Sequence, residues 1–340
     1  MELISKLLFA ILGATGQGLL WAVLALGIYI TFKILDVADM TCDGSFALGG
    51  CLSVTLVVAG WNPFLSLIIS VLAGMLAGMV TGFLHTKLKI PAILAGILTM
   101  ISLYSINLRI MGQPNKSLIK IDNIITLIKK IIPPSIMDSI KYSTLNSIIV
   151  IAVGLIFGII LCFTLYWFFG TEVGSALRAT GSNEDMIRAL GQNTDLMKIL
   201  GLVISNGLIA LAGGLVAQSQ GYGDVVMGQG AIVIGLASIV IGEVFFGRCV
   251  SFVSKLISVI VGSVIYRVII AIVLQIGLNN NDQKLFTAII VAFALSLPVI
   301  KTTKFGLLVS KFFANFTSFL FRRKQIPFVD TTMENTTSNK

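Results

Sequence analysis

Charge is what this sequence has least of. Only 11% of its 340 residues are Asp, Glu, Lys or Arg, less than half the ~25% usual in soluble domains. With 56% hydrophobic residues and a mean hydropathy of +0.99, the chain is an integral membrane protein. It has one histidine, His85, which leaves His-based metal sites and Ser-His-Asp triads without material and reads as an interfacial residue. Cys42, Cys51, Cys162 and Cys249 form no CxxC and lie in or beside apolar runs, so reduced packing cysteines are expected in place of a disulfide frame. The pair Gly-Lys is absent, which excludes an ATP-binding P-loop of the chain's own. HExxH and GxSxG are absent too, and an enzyme has little to stand on. Lys and Arg outnumber Asp and Glu by 24 to 15. In a soluble protein that excess would raise the question of nucleic acid; here it sits in loops and the C-terminal tail, where it sets orientation and meets anionic headgroups.

Long apolar runs are what the chain does have. About nine spans are expected: 7–32, 44–60, 64–84, 90–108, 143–169, 199–217, 229–246, 256–276 and 285–300, each near the ~20 residues a bilayer requires. The first is too long for the apolar core of a signal peptide and lacks an A-x-A exit, so it is expected to remain as a transmembrane helix. The second is short and follows the polar lead-in ADMTCDGS, which suggests a broken helix whose start lies inside the protein and not in lipid. Gly74, Gly78 and Gly82 fall on one face of the third, a surface for close helix packing or, failing that, a dimer seam. Trp61 in the turn before it is a candidate interface anchor. Between 109 and 142, residues 118–132 alternate apolar positions with Lys120, Asp122, Lys129 and Lys130 before Pro133-Pro134. An amphipathic surface helix is expected there, as a landing surface for an external partner or as structural cover.

One polar island interrupts the apolar pattern. Residues 170–198 read GTEVGSALRATGSNEDMIRALGQNTDLMK and predict short helical pieces: 174–180, then one capped by Ser182 and stopped by Gly191, with a new helix from Thr194. Either a soluble partner grips this segment or it is an ordinary loop with an amphipathic turn. With the island in the cytoplasm, fifteen basic residues fall on the cytoplasmic side against eight outside, Arg267 lying within a span. The positive-inside rule then puts the N-terminus out and the C-terminus in.

Arg267 is the most telling charge. It lies about 18 Å along its helix from Lys255, where an unpaired Arg costs at least ~2.5 kcal/mol, so a partner is expected among Asp36, Asp39, Asp43 and Glu243, or a water-filled cavity. Glu243 is expected to pair at the interface with Arg248. Asp39, Thr41, Asp43, Ser45 and Arg267 are the candidate lining of a translocation path.

The island resembles the cytoplasmic coupling-helix region of ABC importer permeases of the branched-chain amino acid and ribose type. The matching residues are Arg178-Ala179, Asn183, Ala189, Gly191 and Asn193. SNGLIALAGGLVAQSQG (Ser205, Ala212, Gly213, Gly214), ADMTCDGSFALGG (Gly44, Phe46, Leu48, Gly49) and GQGAIVIGLASIVIGEVFFGR are similar to other segments of that family. Gly242-Glu243 in place of Gly-Gly, with the acidic early turn, resembles a divergent subgroup of tryptophan/tyrosine-type uptake permeases. The resemblance implies an all-α polytopic bundle like that of type II ABC importers: a permease domain over 1–321 and a polar cytoplasmic tail over 322–340. It implies amino-acid import, or sugar or nucleoside import, with Arg178, Ala179, Gly181, Asn183, Glu184, Arg188, Ala189 and Gly191 coupling to the ATPase. The expected partners are a cytoplasmic ABC ATPase dimer carrying ATP-Mg, an external substrate-binding (lipo)protein, and a second permease copy or a paralogue, in a bacterial plasma membrane. No cofactor or metal is expected on the chain itself, and no nucleic acid. A self-sufficient secondary transporter, the rival, would use Asp39, Asp43 and Arg267 as coupling-ion sites and would need inverted repeats, which are not clear in the sequence.

Overall fold

A computed structural model describes residues 2–119, 121–131, 142–246 and 251–275, together with 285, 287–289, 291, 292 and 296. Residues 1–295 form one compact unit. It is built almost wholly of helices: α1 Glu2–Tyr29, continued by a π-turn Ile30–Ile34, α2 Thr41–Val58, α3 Pro63–Thr86, α4 Ala92–Met111, α5 Ile124–Ile131, α6 Tyr142–Gly170, α7 Glu172–Ser182, α8 Glu184–Ala189, α9 Thr194–Gln220, α10 Ala231–Phe246 and α11 Phe252–Gln275. Among the described residues seven helices are long and apolar enough to cross a membrane, and α10 is a shorter apolar helix. The chain is a multi-pass membrane protein. The expected ninth span, 285–300, lies largely outside the described residues.

The most buried spans are α2 and α9, and small residues let them meet. A Cβ on Gly49 would collide with the Ala210 carbonyl, and one on Gly213 with that of Phe46. Ser45 Oγ bonds Asn206 and Gln218 Nε2 lies 2.8 Å from Ser53 Oγ, so the two helices run in parallel. In α3, Gly74 and Gly78 leave no room for a Cβ against the carbonyls of Asn206 and Leu202. The three glycines are therefore an intramolecular seam, antiparallel to α9, and not a dimer seam. Ser205 Oγ bonds the Gly27 carbonyl at 2.8 Å and Gln17 Nε2 reaches Ser219 at 3.3 Å, which makes α1 antiparallel to α9 as well. Phe64, Ile68, Leu72, Leu76 on α3 and Ile156, Ile159, Ile160, Phe163 on α6 are exposed, as a lipid-facing surface requires.

Of the amphipathic helix expected over 118–132, the described part is helical over Ile124–Ile131. Just before it, strand β1, Asn115–Ser117, pairs antiparallel with β2, Tyr222–Asp224. Strand pairing satisfies the backbone of 115–117 at the end of α9, while Asn123 and Thr126 cap α5 reciprocally. Gln218, 1% exposed, holds the cover down: its Oε1 accepts from Ile124 N at 3.2 Å, and its Nε2 faces Ser53 Oγ, Ser66 Oγ and the Pro63 carbonyl within 3.1 Å.

Candidate functional site

The island is two short helices locked to the membrane part. Thr171 Oγ1 accepts from Gly174 N at 3.2 Å and opens α7, which runs on through Ser182. The cap of α8 is therefore Asn183 and not Ser182: Asn183 turns extended (φ −157°, ψ 97°) and its Oδ1 accepts from Met186 N at 3.0 Å. Gly191 supplies the positive φ of +83° that ends the turn, which costs a residue with a Cβ more. Asn193 caps α9 at Leu196 N.

Arg178 Nη2 donates to the Phe169 carbonyl at 2.9 Å, filling an open acceptor at the end of α6, and its guanidinium lies 5.5 Å over the Phe252 ring at the start of α11. Gly181 sits where a Cβ would run into the Ile34 carbonyl of the π-turn. Glu184 is the hub of the second half. Its carboxylate takes Lys198 Nζ at 2.6 Å and Arg188 Nη2 at 2.8 Å, with Thr194 Oγ1 at 3.2 Å. The Lys198 hydrogen bond, helped by the Lys198 and Arg188 charges and the Thr194 hydroxyl, holds the Glu184 carboxyl below its ordinary value. Arg178, Gly181, Glu184 and Arg188 thus make α7 and α8 rigid, Asn183 and Gly191 shape the turns, and Ala189 is exposed. The open apolar side chains of α8 and its C-terminal end are Met186, 50% exposed, and Leu190, 69% exposed, which the sequence pattern did not single out. Beside it lies a groove of about 320 Å³ lined by Lys89, Arg188, Gln192, Asn193, Thr194 and Asp195.

The second site lies midway along α9. Asn206, near the midpoint of α9, donates to Asp39 Oδ2 at 2.7 Å and accepts from Ser45 at 2.6 Å. Asp39 Oδ1 accepts from Thr41 N, the first residue of α2, at 2.8 Å. Thr41, Thr81 and Thr99 continue the hydrogen-bond chain across α3 and α4. Asp39, Thr41 and Ser45 are fully enclosed between these helices. Asp43 turns the other way and takes Gly230 N at 2.9 Å and Ile232 N at 3.0 Å, so α10 begins at the depth where α2 begins and runs in the opposite sense. Its lead-in 225–230 is irregular backbone at membrane depth with Val226 and Gln229 exposed, a placement tolerated only where backbone is covered by protein or lines water. Arg267 pairs with none of the expected carboxylates: Glu243 bridges Lys33 at 2.9 Å, and Arg248 lies outside the described residues. The Arg267 guanidinium instead stacks 4.0 Å over Trp21, a cation–π contact. Among the described residues no group of His, Cys, Asp and Glu can hold a metal, and Cys42, Cys51 and Cys162 are free thiols.

Over residues 10–295 the sequence matches the family described as branched-chain amino acid transport system / permease component. The chain belongs to that family. A tyrosine transport system permease protein of Clostridioides difficile (strain R20291) is 38% identical over 281 residues, 83% of this chain and 88% of the relative. An uncharacterised protein of Rickettsia prowazekii (strain Madrid E) is 32% identical over 289 residues, 83% and 95% of the two chains. Among solved structures, a chain of PsaBC from Streptococcus pneumoniae in complex with Fab is similar with a TM-score of 0.45 and 17% identity, over 84% of this permease and 89% of that chain; so loose a likeness has no bearing on function. The permease is a transport subunit, and the 170–198 island and the α2–α9 core both fall inside the matched region.

Proposed function

We propose that this permease is the membrane subunit of an ATP-driven, binding-protein-dependent ABC importer for amino acids. The reading rests above all on the island: two capped helices clamped to the ends of α1, α6, α9 and α11, presenting Met186 and Leu190 outward. A cytoplasmic ATPase dimer pressing on that surface moves α6 and α9 as levers, because Arg178 and Glu184 leave the segment no freedom to yield locally. The excess of basic residues on the island's side supports N-terminus out and C-terminus in, in a bacterial plasma membrane. The tyrosine permease relative supports an amino acid as cargo. An external binding protein delivers it to the side carrying β1, β2 and α5, and a second permease copy or a paralogue completes the path.

The test is co-purification of the ATPase with Met186→Glu/Leu190→Glu. Loss of ATPase at unchanged permease yield and melting temperature is expected; ATPase retained at the wild-type level overturns the docking surface. A cysteine at Ser182 labelled by an impermeant reagent on intact cells would overturn the orientation.

A further inference from the structure

We infer that Gln17, Trp21 and Arg267 form a binding site for the zwitterionic head of an α-amino acid within the membrane part. The inference rests on the amino-acid reading above and names the groups that would recognise such a cargo. Trp21 and Gln17 lie one turn apart on the same face of α1, where residues four apart are neighbours. Helix α11 is pressed against this stretch: Ser263 Oγ bonds the Gly18 carbonyl at 2.8 Å, and a Cβ on Gly18 would run into the Val264 backbone. One turn beyond Ser263, the Arg267 guanidinium lies 4.0 Å from the centre of the Trp21 ring, and Trp21 packs in turn on Phe46 at 4.9 Å.

The unfilled hydrogen-bonding capacity of this cluster points to a ligand. Six buried side-chain polar atoms among the described residues have no hydrogen-bond partner, and three of them are here: Arg267 Nε, Trp21 Nε1 and Gln17 Oε1. Trp21 is only 6% exposed, so its N–H has no recourse to solvent. Buried polar atoms are ordinarily satisfied, and a concentration of exceptions calls for a missing partner. Of the four carboxylates that sequence spacing offered to Arg267, three are taken, Asp39 by Asn206 and Thr41, Asp43 by α10 and Glu243 by Lys33, and Asp36 is exposed.

The donor and acceptor set fits one chemistry. Arg267 remains charged and carries only donors, the Trp21 indole is a donor only, and both suit a carboxylate. Gln17 turns its amide nitrogen to Ser219, which leaves a carbonyl oxygen suited to an ammonium. Two donors, on Arg267 and Trp21, with an acceptor on Gln17 one turn from Trp21, match an amino-acid head and not a simple anion. A lipid phosphate would use only the donors.

The test uses the full chain in maltoside micelles with Trp61→Phe and Trp167→Phe, which leaves Trp21 as the sole indole of the three, excited at the red edge where phenols do not absorb. L-Tyrosine is titrated against tyramine, which lacks the carboxylate, and 3-(4-hydroxyphenyl)propanoate, which lacks the ammonium. A saturable change in Trp21 emission is expected with L-tyrosine, with both analogues at least tenfold weaker. Arg267→Lys should weaken L-tyrosine at least tenfold, and Gln17→Leu should erase its advantage over the ammonium-free analogue. No saturable change with L-tyrosine overturns the site, as does an equal response to tyramine, provided the two-Phe chain melts as the wild type does, and neither result needs a change at Gln17 or Arg267. A response to phosphatidylglycerol without one to L-tyrosine overturns it in favour of a lipid contact. ATPase capture is scored on the same preparation and on the wild-type chain: capture retained with a null titration removes the site alone, while failure of the wild-type chain to capture strikes the importer reading.

Discussion

Asp43, in the first turn of α2, accepts the backbone N–H of Ile232, in the first turn of α10, at 3.0 Å, and its other oxygen accepts from Gly230 at 2.9 Å. Two helices that start at the same depth and run apart are joined by one carboxylate. The N–H groups it satisfies have no helical partner, and the partial positive charge of a helix start favours the carboxylate. Asp43→Ala should therefore lower stability by about 2 kcal/mol, read as melting temperature of the purified permease. Asp43→Asn keeps one acceptor and should recover about half. Equal loss in both variants would show that charge, and not the cap bonds, sets the effect.

Asn206 ties α9 to α2 and its lead-in through one amide, and its removal leaves Asp39 Oδ2 and the Ser45 hydroxyl without this partner in a buried core. Asn206→Ala should cost about 3 kcal/mol. Because the cost is mostly that of the stranded carboxylate, Asp39→Ala/Asn206→Ala should lose clearly less than the two single variants added together. Additive losses would mean that the two side chains are independent.

Much of this architecture was legible in the residues. Apolar runs placed the described membrane helices to within a few residues, and the polar lead-in to α2 announced a start that lies inside the protein, although α2 itself is unbroken over Thr41–Val58. The island's turn residues gave its two helices, with the cap misplaced by one position because Ser182 and Asn183 both suit a cap and only backbone geometry separates them. What could not be read were long-range partners. Nothing local ties Asn206 to Asp39, Gln218 to Ser53 and Ile124, or residues 115–117 to a strand more than a hundred positions on. Arg267 was expected to find a carboxylate because charge cost is a property of depth; which neighbour answers it is a property of packing, and Trp21 on α1 does so.

The α3–α9 seam gives a sharp contrast between two helix glycines. A Cβ on Gly78 meets the Leu202 carbonyl, whereas on Gly158 in α6 the nearest atom is Ile260 Cδ1 at 3.8 Å. Gly78→Ala must push two helices apart and should destabilise by about 2 kcal/mol. Gly158→Ala keeps its contacts and gains helix propensity, up to about 1 kcal/mol. Opposite signs of the change in melting temperature are expected; a neutral Gly78→Ala would show that the seam has slack.

Glu184 predicts how acid acts on the island. Its folded carboxyl is held below the ordinary 4.5, first by the Lys198 hydrogen bond, so in the unfolded chain it takes up a proton at higher pH than in the folded one. The stabilisation is thus fully present above about pH 4.5 and is lost as pH falls through the lowered folded value. The side chain is 32% exposed, and solvent screening keeps the effect to about 0.5–1 kcal/mol, or ~2 °C in melting temperature. Other carboxylates titrate in the same window, so the diagnostic quantity is a difference: from about pH 6 to about pH 4, the wild-type permease should lose more than Glu184→Gln does. Parallel curves for the two proteins would mean that Lys198 and Arg188 hold Glu184 no better than water does, and the rigid link between α8 and α9 would have to be sought in the Asn193 cap instead.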